Sequence, residues 1–240
     1  MIVWLASYPR SGNTYFRILL HHLHGLKTFS IYNDPLLEKL DGTADAIGHE
    51  RLPGSLDEIA NSGKLYIVKT HNLPADNYPA IQIVRDGRDA LASYAKFIQA
   101  FESPFASLGR MERALKSWTG WKEEEAIAKR LILSSGGDFG GWSENVLAWK
   151  DRPAKTALVR YEDLVDDPQG ELARVLEELN ISGTRENQGA EPPSFADLNR
   201  RWPNFFRQGR SGSWKSILTP RLERLFWKHH REGMEAFGYD

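Results

Sequence analysis

Short apolar runs alternate along this chain with longer stretches in which apolar residues recur at helical spacing. Each short run is bounded by turn-forming residues, which is typical of a buried β-strand. The predicted strands cover residues 2–6, 64–70, 80–84 and 155–161. The predicted longer helices cover residues 15–24, 90–101, 111–133, 142–150, 168–179 and 220–237. We expect short helical pieces at 35–40 and 55–60 and irregular structure at 183–194 and 195–215.

Strands that alternate with helices favour a single α/β domain over residues 1–240, with a mostly parallel sheet flanked by helices. Ligands of such sheets bind beside the carboxyl ends of the strands. Arg10, His71, Arg85 and Tyr161 each follow a predicted strand. We therefore expect these four side chains at the ligand-binding edge of the sheet.

Composition narrows the class of protein. The chain has 240 residues, 41% of them hydrophobic and 26% charged, with a net charge of −1. This balance is typical of a soluble globular domain and predicts neither a nucleic-acid nor a membrane partner. There is no cysteine, which excludes disulfides and thiolate chemistry and fits a cytoplasmic location. No apolar run approaches the length of a membrane span, and we expect no signal peptide.

The first loop carries the most informative chemistry. Ser7-Tyr8-Pro9-Arg10-Ser11-Gly12-Asn13-Thr14 separates the first strand from the first helix. Such a loop aims backbone N–H groups and a helix dipole at an anion, and Arg10 can fold over a phosphate. We expect Thr14 or Asn13 to cap the helix. The pattern G-x-x-x-x-G-K-[ST] is absent from this loop, which weakens an ATPase or kinase interpretation. From spacing alone, a plain strand-to-helix connection stays open.

Two further segments combine cations with small residues. Arg85 ends a strand, and Ser93 lies eight residues further on in the following helix, so the two could bind a second anion. The segment from Arg207 to Lys215 contains Gly209 and further cations, and its glycines permit close approach of the backbone to an anion. Each segment alone could instead be a capped helix or a surface loop.

Six short motifs together resemble a known family. Y-P-R-S-G-N-T-Y at residues 8–15 is similar to the Y-P-K-S-G-T-T-W signature of the cytosolic-type sulfotransferases. Similar motifs of that family follow in order: K-T-H at 69–71, I-V-R-D-G-R-D-A-L-A-S at 83–93, Y-E-D at 161–163, S-F at 194–195 and R-Q-G-R-S-G-S-W-K at 207–215. The sequence is identified as a member of this family, whose fold is similar to that of the P-loop nucleotide kinases.

The resemblance implies a reaction and a set of roles. The family transfers a sulfuryl group from 3'-phosphoadenosine 5'-phosphosulfate (PAPS) to a hydroxyl of a small-molecule acceptor, without a metal, and leaves 3',5'-ADP. His71 is then the general base, while Arg10 and Lys69 stabilise the leaving phosphate. The implied nucleotide-binding residues are Arg10, Ser11, Gly12, Asn13, Thr14 and Tyr15 for the 5'-phosphate, Arg85, Ser93, Arg207 and Gly209 for the 3'-phosphate, and Tyr15, Tyr161 and Phe195 for the adenine.

Some positions depart from the family pattern. Arg10 stands where the family usually has lysine, and Gln208 stands where it often has a second cation. Arginine keeps the charge but does not act as a proton donor at neutral pH. Two alternatives to a sulfotransferase stay open: a nucleotide kinase and a non-catalytic nucleotide-binding protein. The candidates for the acceptor pocket are Phe97, Phe139, Trp142, Phe205 and Phe206.

Overall fold

The structure is a computed structural model that describes residues 1–32, 42–101, 123–182, 191, 193–203, 206 and 211–240. Its sheet has five strands: β1 (Ile2–Ser7), β2 (Thr28–Ser30), β3 (Tyr66–Thr70), β4 (Ala80–Val84) and β5 (Thr156–Arg160). The described helices, in chain order, are α1 (Asn13–His24), α2 (Thr43–Ala46), α3 (Leu56–Ala60), α4 (Gly87–Phe101), α5 (Glu123–Ile132), α6 (Trp142–Lys150), α7 (Tyr161–Asp166), α8 (Pro168–Glu178), α9 (Phe195–Arg201) and α10 (Pro220–Ala236). A 3₁₀ turn spans Ser213–Ser216. Among these described helices, none is long and apolar enough to cross a membrane.

The order of the strands creates the crevice at which ligands of such folds bind. The strands lie in the order β2-β3-β1-β4-β5, and all pairs are parallel. The chain leaving β1 runs towards the β2 edge, whereas the chain leaving β4 runs towards the β5 edge. A reversal of this kind separates the two connections and opens a crevice at the carboxyl ends of β1 and β4.

The central strand explains why both faces of the sheet need covering. All six residues of β1 are buried. Val3 and Leu5 pack in a core cluster with α1 and α8, and Ile2 and Trp4 pack in another with Trp149 of α6. This alternation is the two-residue period of a strand with apolar side chains on both faces. A further core cluster lies among α4, α5, α6 and α10.

The predicted fold class is confirmed, with instructive local differences. β2 was missed because it is only three residues long. The helix α9 and the 3₁₀ turn lie in a segment predicted to be irregular, so that prediction was wrong. Three predicted stretches lie outside the described residues: the short helix at 35–40, the part of the 111–133 helix at 111–122, and the irregular residues 183–190.

The predicted cap of α1 was also wrong. Gly12 is the N-cap, with a left-handed φ of 107°, and no side chain caps the helix. Asn13 instead turns its side chain back, and its Nδ2 donates to the carbonyl oxygen of Leu5 at 3.1 Å and to Ser7 Oγ at 3.2 Å. The backbone N–H groups at the start of α1 are therefore not occupied by a side-chain cap.

A histidine inside the α6–α10 contact makes stability depend on pH. His230 is only 3% exposed, packs against the rings of Trp142 and Phe226, and its Nε2 lies 3.1 Å from the carbonyl oxygen of Ile132. Burial lowers the pKa of His230 from 6.5 to about 4, although the hydrogen bond to Ile132 opposes this shift. The folded protein therefore holds a neutral imidazole at pH values where the unfolded chain takes up a proton.

This difference predicts acid destabilisation. The contribution of His230 is fully present above pH 6.5 and is lost as the pH falls from 6.5 towards 4, by about 3 kcal/mol in total. Urea unfolding between pH 7 and pH 4.5 should show a shallower pH dependence in His230→Gln than in the wild type. The exposed neighbour offers a matched control, because His229→Gln should keep the wild-type slope. Equal slopes in all three proteins would contradict the prediction.

Candidate functional site

The loop after β1 contains two residues with a positive φ. Arg10 has a φ of 68° and Gly12 a φ of 107°. The N–H of Ser11 donates to the carbonyl oxygen of Tyr8 at 3.3 Å, and the Ser11 side chain is fully buried. A Cβ at position 12 would lie 2.4 Å from Cδ2 of Tyr161. Gly12 is thus required both by its backbone conformation and by the ring that lies against it.

Two arginines come together where this loop faces α4. The Nε of Arg10 donates to Ser93 Oγ at 3.4 Å, and its guanidinium lies 5.0 Å from the centroid of the Phe97 ring. The Nη1 of Arg85 donates to the carbonyl oxygen of Arg10 at 3.3 Å, and its guanidinium lies 4.4 Å from the Tyr161 ring. Arg85 is 8% exposed. The structure therefore brings together two predicted anion ligands from different strand ends, with Ser93 of α4 beside Arg10.

The predicted adenine-binding rings also come together. The centroids of Tyr15 and Phe195 are 4.4 Å apart, with the planes tilted by 38°. Burial raises the pKa of Tyr15 to about 12, with a smaller contribution from the charge of Tyr161. Burial also raises the pKa of Tyr161, against the opposing effect of Arg85. Both phenols are therefore neutral at pH 7 and present apolar faces beside the loop.

His71 follows β3 and is held by three different elements. Its Nδ1 lies 2.7 Å from the carbonyl oxygen of Ser7 at the end of β1. Its backbone N–H donates to the Tyr32 hydroxyl at 2.8 Å, and its carbonyl oxygen accepts from Asn145 Nδ2 of α6 at 2.9 Å. A carbonyl oxygen only accepts hydrogen bonds, so the proton of the neutral ring is assigned to Nδ1 and the lone pair to Nε2.

Lys69 and His71 share a neighbour that the sequence did not reveal. The Lys69 ammonium lies 5.6 Å from the centroid of the Tyr32 ring, and the Tyr32 ring stacks on that of His71 at 5.8 Å with an angle of 21°. Sequence reasoning missed Tyr32 because it follows a strand too short to be recognised. Its only signal is an aromatic residue within a mainly polar segment.

The third predicted anion-binding segment is only partly described. Arg207 and Gly209 lie outside the described residues. The residues that follow are tied to α4 by the buried carboxylate of Asp89, which accepts from Gly212 N at 2.6 Å, Ser213 Oγ at 2.9 Å and Trp214 N at 2.9 Å. Sequence reasoning missed Asp89, although it lies one helical turn before Ser93 and hence on the same face of α4.

The candidates for the acceptor pocket fall into different environments. Phe97 and Phe139 are half-buried, and Phe139 contacts Tyr8 edge-on at 6.1 Å. Trp142 is fully buried in the core, so its prediction as a pocket residue was wrong. Phe206 packs against Trp202 in the core cluster of α1 and α8, and Phe205 lies outside the described residues. The half-buried rings thus lie beside the loop that carries Arg10.

Metal ligands are not gathered anywhere in the described part of the chain. No group of three or more His, Cys, Asp or Glu side chains there could hold a metal ion. Arg10 and Arg85, which meet beside the loop, are cations and suit an anionic ligand.

Comparison with known proteins agrees with this arrangement. A family model described as a sulfotransferase domain matches residues 2–238. A WSCD family member of Aedes aegypti is 30% identical over 183 residues, which cover 74% of this chain and 50% of that protein. Sulfotransferase 1 family member D1 of Rattus norvegicus is 24% identical over 272 aligned positions, covering 97% of this chain and 83% of that protein. The chain thus spans about half the length of its WSCD relatives.

Solved structures show the same fold. Mouse sulfotransferase SULT7A1 complexed with PAP superposes with a TM-score of 0.63 at 17% identity, covering 100% of this chain and 89% of that one. Retinol dehydratase in a complex with retinol and PAP gives 0.59 at 16% identity, covering 98% and 81%. Since the family model matches from the first strand to the last helix, the chain belongs to the sulfotransferase domain family.

Proposed function

We propose that this protein transfers a sulfuryl group from PAPS to a hydroxyl of a small-molecule acceptor. The observation that carries the proposal is the meeting of three strand ends: Arg10 after β1, His71 after β3 and Arg85 after β4. A cationic crevice with a histidine whose lone pair is on Nε2 suits the transfer of an anionic group to a hydroxyl. Family membership and the PAP complexes of solved relatives support the donor.

The residues fit the two phosphates of the donor. The loop from Arg10 to Tyr15 would hold the 5'-phosphate by its N–H groups, by the positive end of α1 and by Arg10. Ser11 and Thr14 supply hydroxyls, and the buried Ser11 Oγ has no hydrogen-bond partner among the described residues. The side chain of Asn13 is engaged with Leu5 and Ser7, so its contact with the phosphate would come from its backbone N–H.

The 3'-phosphate would occupy the other end of the crevice. Arg85 can bind it bidentately and Ser93 by its hydroxyl. Arg207 and Gly209, which precede Gly212 in the chain, would complete this end according to the family motif. Adenine would lie against Tyr15, Phe195 and Tyr161, whose rings offer stacking faces of suitable size.

The chain's own residues supply base and electrostatic catalysis. PAPS provides an activated sulfuryl group, whose bond to the phosphate breaks as a bond to the acceptor oxygen forms. His71 accepts the acceptor's hydroxyl proton at Nε2, while its Nδ1–H remains bonded to the Ser7 carbonyl. Lys69 and Arg10 stabilise the charge that develops on the leaving phosphate of 3',5'-ADP, and Arg10 acts only through its charge.

The surroundings of the crevice favour an apolar acceptor. Phe97 is half-buried beside Arg10, and Phe139 is half-buried against Tyr8, whose ring centroid lies 6.2 Å from that of Tyr94. Such walls suit an aromatic or alicyclic alcohol better than a sugar. The solved complexes of a related fold with androsterone and with retinol support this class.

The first test concerns the 3'-phosphate. Calorimetry in EDTA should detect binding of 3',5'-ADP, and Arg85→Ala should weaken it by about 2–4 kcal/mol because a buried phosphate loses its cation. Adenosine 5'-phosphosulfate, which lacks the 3'-phosphate, should bind both proteins almost equally. Arg174→Ala is the control, since this arginine pairs with Glu171 on the surface. Equal losses for both nucleotides would assign Arg85 a structural role, and loss of binding on chelation would refute the metal-free site.

A second test separates backbone strain from collision at the loop. Gly12 and Gly63 both have positive φ, but a Cβ at Gly63 would meet nothing within 4 Å. Gly63→Ala should therefore cost about 1–2 kcal/mol of stability and leave 3',5'-ADP binding unchanged. Gly12→Ala should displace Tyr161 and weaken 3',5'-ADP binding at least about tenfold. Unchanged affinity in Gly12→Ala would remove this loop and Tyr161 from the nucleotide site.

A third test concerns the base. An acceptor screen with labelled PAPS should include phenols, alcohols and sugars. On the acceptor found, His71→Ala and His71→Asn should lose about 10²–10⁴-fold in rate and retain 3',5'-ADP binding. The ascending limb of the plot of kcat/KM against pH should be absent in both His71 variants. The exposed His229→Asn should behave as wild type, and near wild-type turnover of His71→Ala between pH 6 and 8 would exclude the base role.

A further inference from the structure

The hydroxyl of Tyr32 joins the backbone of His71 to a second residue of the same segment. It accepts from the His71 N–H at 2.8 Å and donates to Asn72 Oδ1 at 2.7 Å. Tyr32 itself follows β2 and is anchored there, because its N–H donates to Ser30 Oγ at 3.1 Å. The contact therefore connects the β2 edge of the sheet with the first residue after β3.

The ring of Tyr32 contacts two side chains of the proposed machinery. It stacks on the His71 imidazole at 5.8 Å and lies 5.6 Å from the Lys69 ammonium, which is within the range of a cation–π interaction. Asn145 and Trp149 also support this segment, by donating to the carbonyl oxygens of His71 and Asn72 respectively. Tyr32 is distinguished from them by touching both proposed catalytic side chains.

The orientation of the imidazole decides which nitrogen can act as a base. The Nδ1–H bond to the Ser7 carbonyl is short, at 2.7 Å, and it requires the ring to stay in one plane. Backbone contacts leave the side chain free to rotate about its bonds, whereas a stacked ring opposes that rotation. A histidine that loses this plane loses its preference for the tautomer with the lone pair on Nε2.

We propose that Tyr32 is a positioning residue for His71 and Lys69. Its hydroxyl fixes the His71 backbone, its ring holds the imidazole in the Nδ1–H tautomer, and the same ring holds the ammonium of Lys69 by a cation–π contact. This inference rests on the proposed function, in which His71 Nε2 is the base and Lys69 stabilises the leaving phosphate.

The experiment measures the tautomer directly and needs no acceptor. The ¹⁵N and ¹³C shifts of histidine-labelled protein report which nitrogen carries the proton, and His71→Gln assigns the resonance. Wild-type protein should show Nδ1–H. Tyr32→Leu removes ring and hydroxyl and should populate Nε2–H, whereas Tyr32→Phe keeps the ring and should keep Nδ1–H. Tyr78→Leu and Tyr78→Phe, at a half-buried tyrosine outside the site, should leave the His71 signals unchanged.

Amide exchange tests the hydroxyl separately and covers the case in which Tyr32→Leu fails to fold. Loss of the bond from the His71 N–H should speed its exchange about tenfold in Tyr32→Phe, the value of one hydrogen bond. Wild-type exchange in Tyr32→Phe, or a wild-type tautomer in folded Tyr32→Leu, would overturn the proposal.

Nucleotide binding and turnover separate this inference from the proposed function. Calorimetry with 3',5'-ADP should give affinities within about twofold of wild type for both variants, because the contacts of Tyr32 within the described residues are with the β2 and β3 segments and not with the loop from Arg10 to Tyr15. A tenfold loss would place Tyr32 in the nucleotide site and overturn its positioning role. With PAPS and the acceptor found by screening, Tyr32→Leu should lower kcat about 10²-fold at a nearly unchanged KM for PAPS. If wild-type protein shows the Nδ1–H tautomer but never turns over PAPS, the proposed function alone fails.

Discussion

The end of the central strand imposes the constraint on which the site depends. β1 is buried on both faces, and beyond Ser7 the sheet no longer pairs the polar groups of its chain. Buried polar groups need partners, and here the Ser7 carbonyl oxygen accepts from His71 while its hydroxyl accepts from Asn13. One residue thereby orients both the histidine after β3 and the first residue of α1. The orientation of the imidazole and of the start of α1 therefore depends on β1 ending inside the protein.

Local charge at the crevice is independent of the overall charge of the chain. The protein carries a net charge of −1, yet Arg10 and Arg85 meet at a single edge of the sheet. The carboxylate of Asp89 is fully buried on the same helix as Ser93, but three donors from the Gly212–Trp214 segment satisfy it. Because its hydrogen bonds are satisfied, the Asp89 carboxylate stabilises the Gly212–Trp214 segment. The guanidinium groups of Arg10 and Arg85 provide the positive field for an anion.

Sequence patterns predicted the elements whose signals are local. Short apolar runs bounded by turn-forming residues revealed β3, β4 and β5, and the helix predicted at 142–150 has its observed bounds as α6. The predicted strand ends placed Arg10, His71 and Arg85 at one edge of the sheet, where the structure has them. Tyr32, Asp89 and Asn145 escaped because their partners lie 39, 123 and 74 residues away, and no local pattern encodes such contacts. The wrong prediction for Trp142 has a similar cause, since an aromatic residue on a helix has the same spacing whether it lines a pocket or fills a core.

The hydrogen bond between Asp89 and Gly212 joins residues that are synthesised at very different times. Its two residues are separated by 123 positions, and the Trp214 N–H that reinforces it comes still later. At synthesis rates of about 5–20 residues per second, roughly 6 to 25 seconds pass between the emergence of α4 and the arrival of its partner. All five strands, including β5, are therefore synthesised before the donors of the Asp89 carboxylate. During biosynthesis, the central strand and its loop are made first, and the segment bound by Asp89 is made after all five strands and before α10.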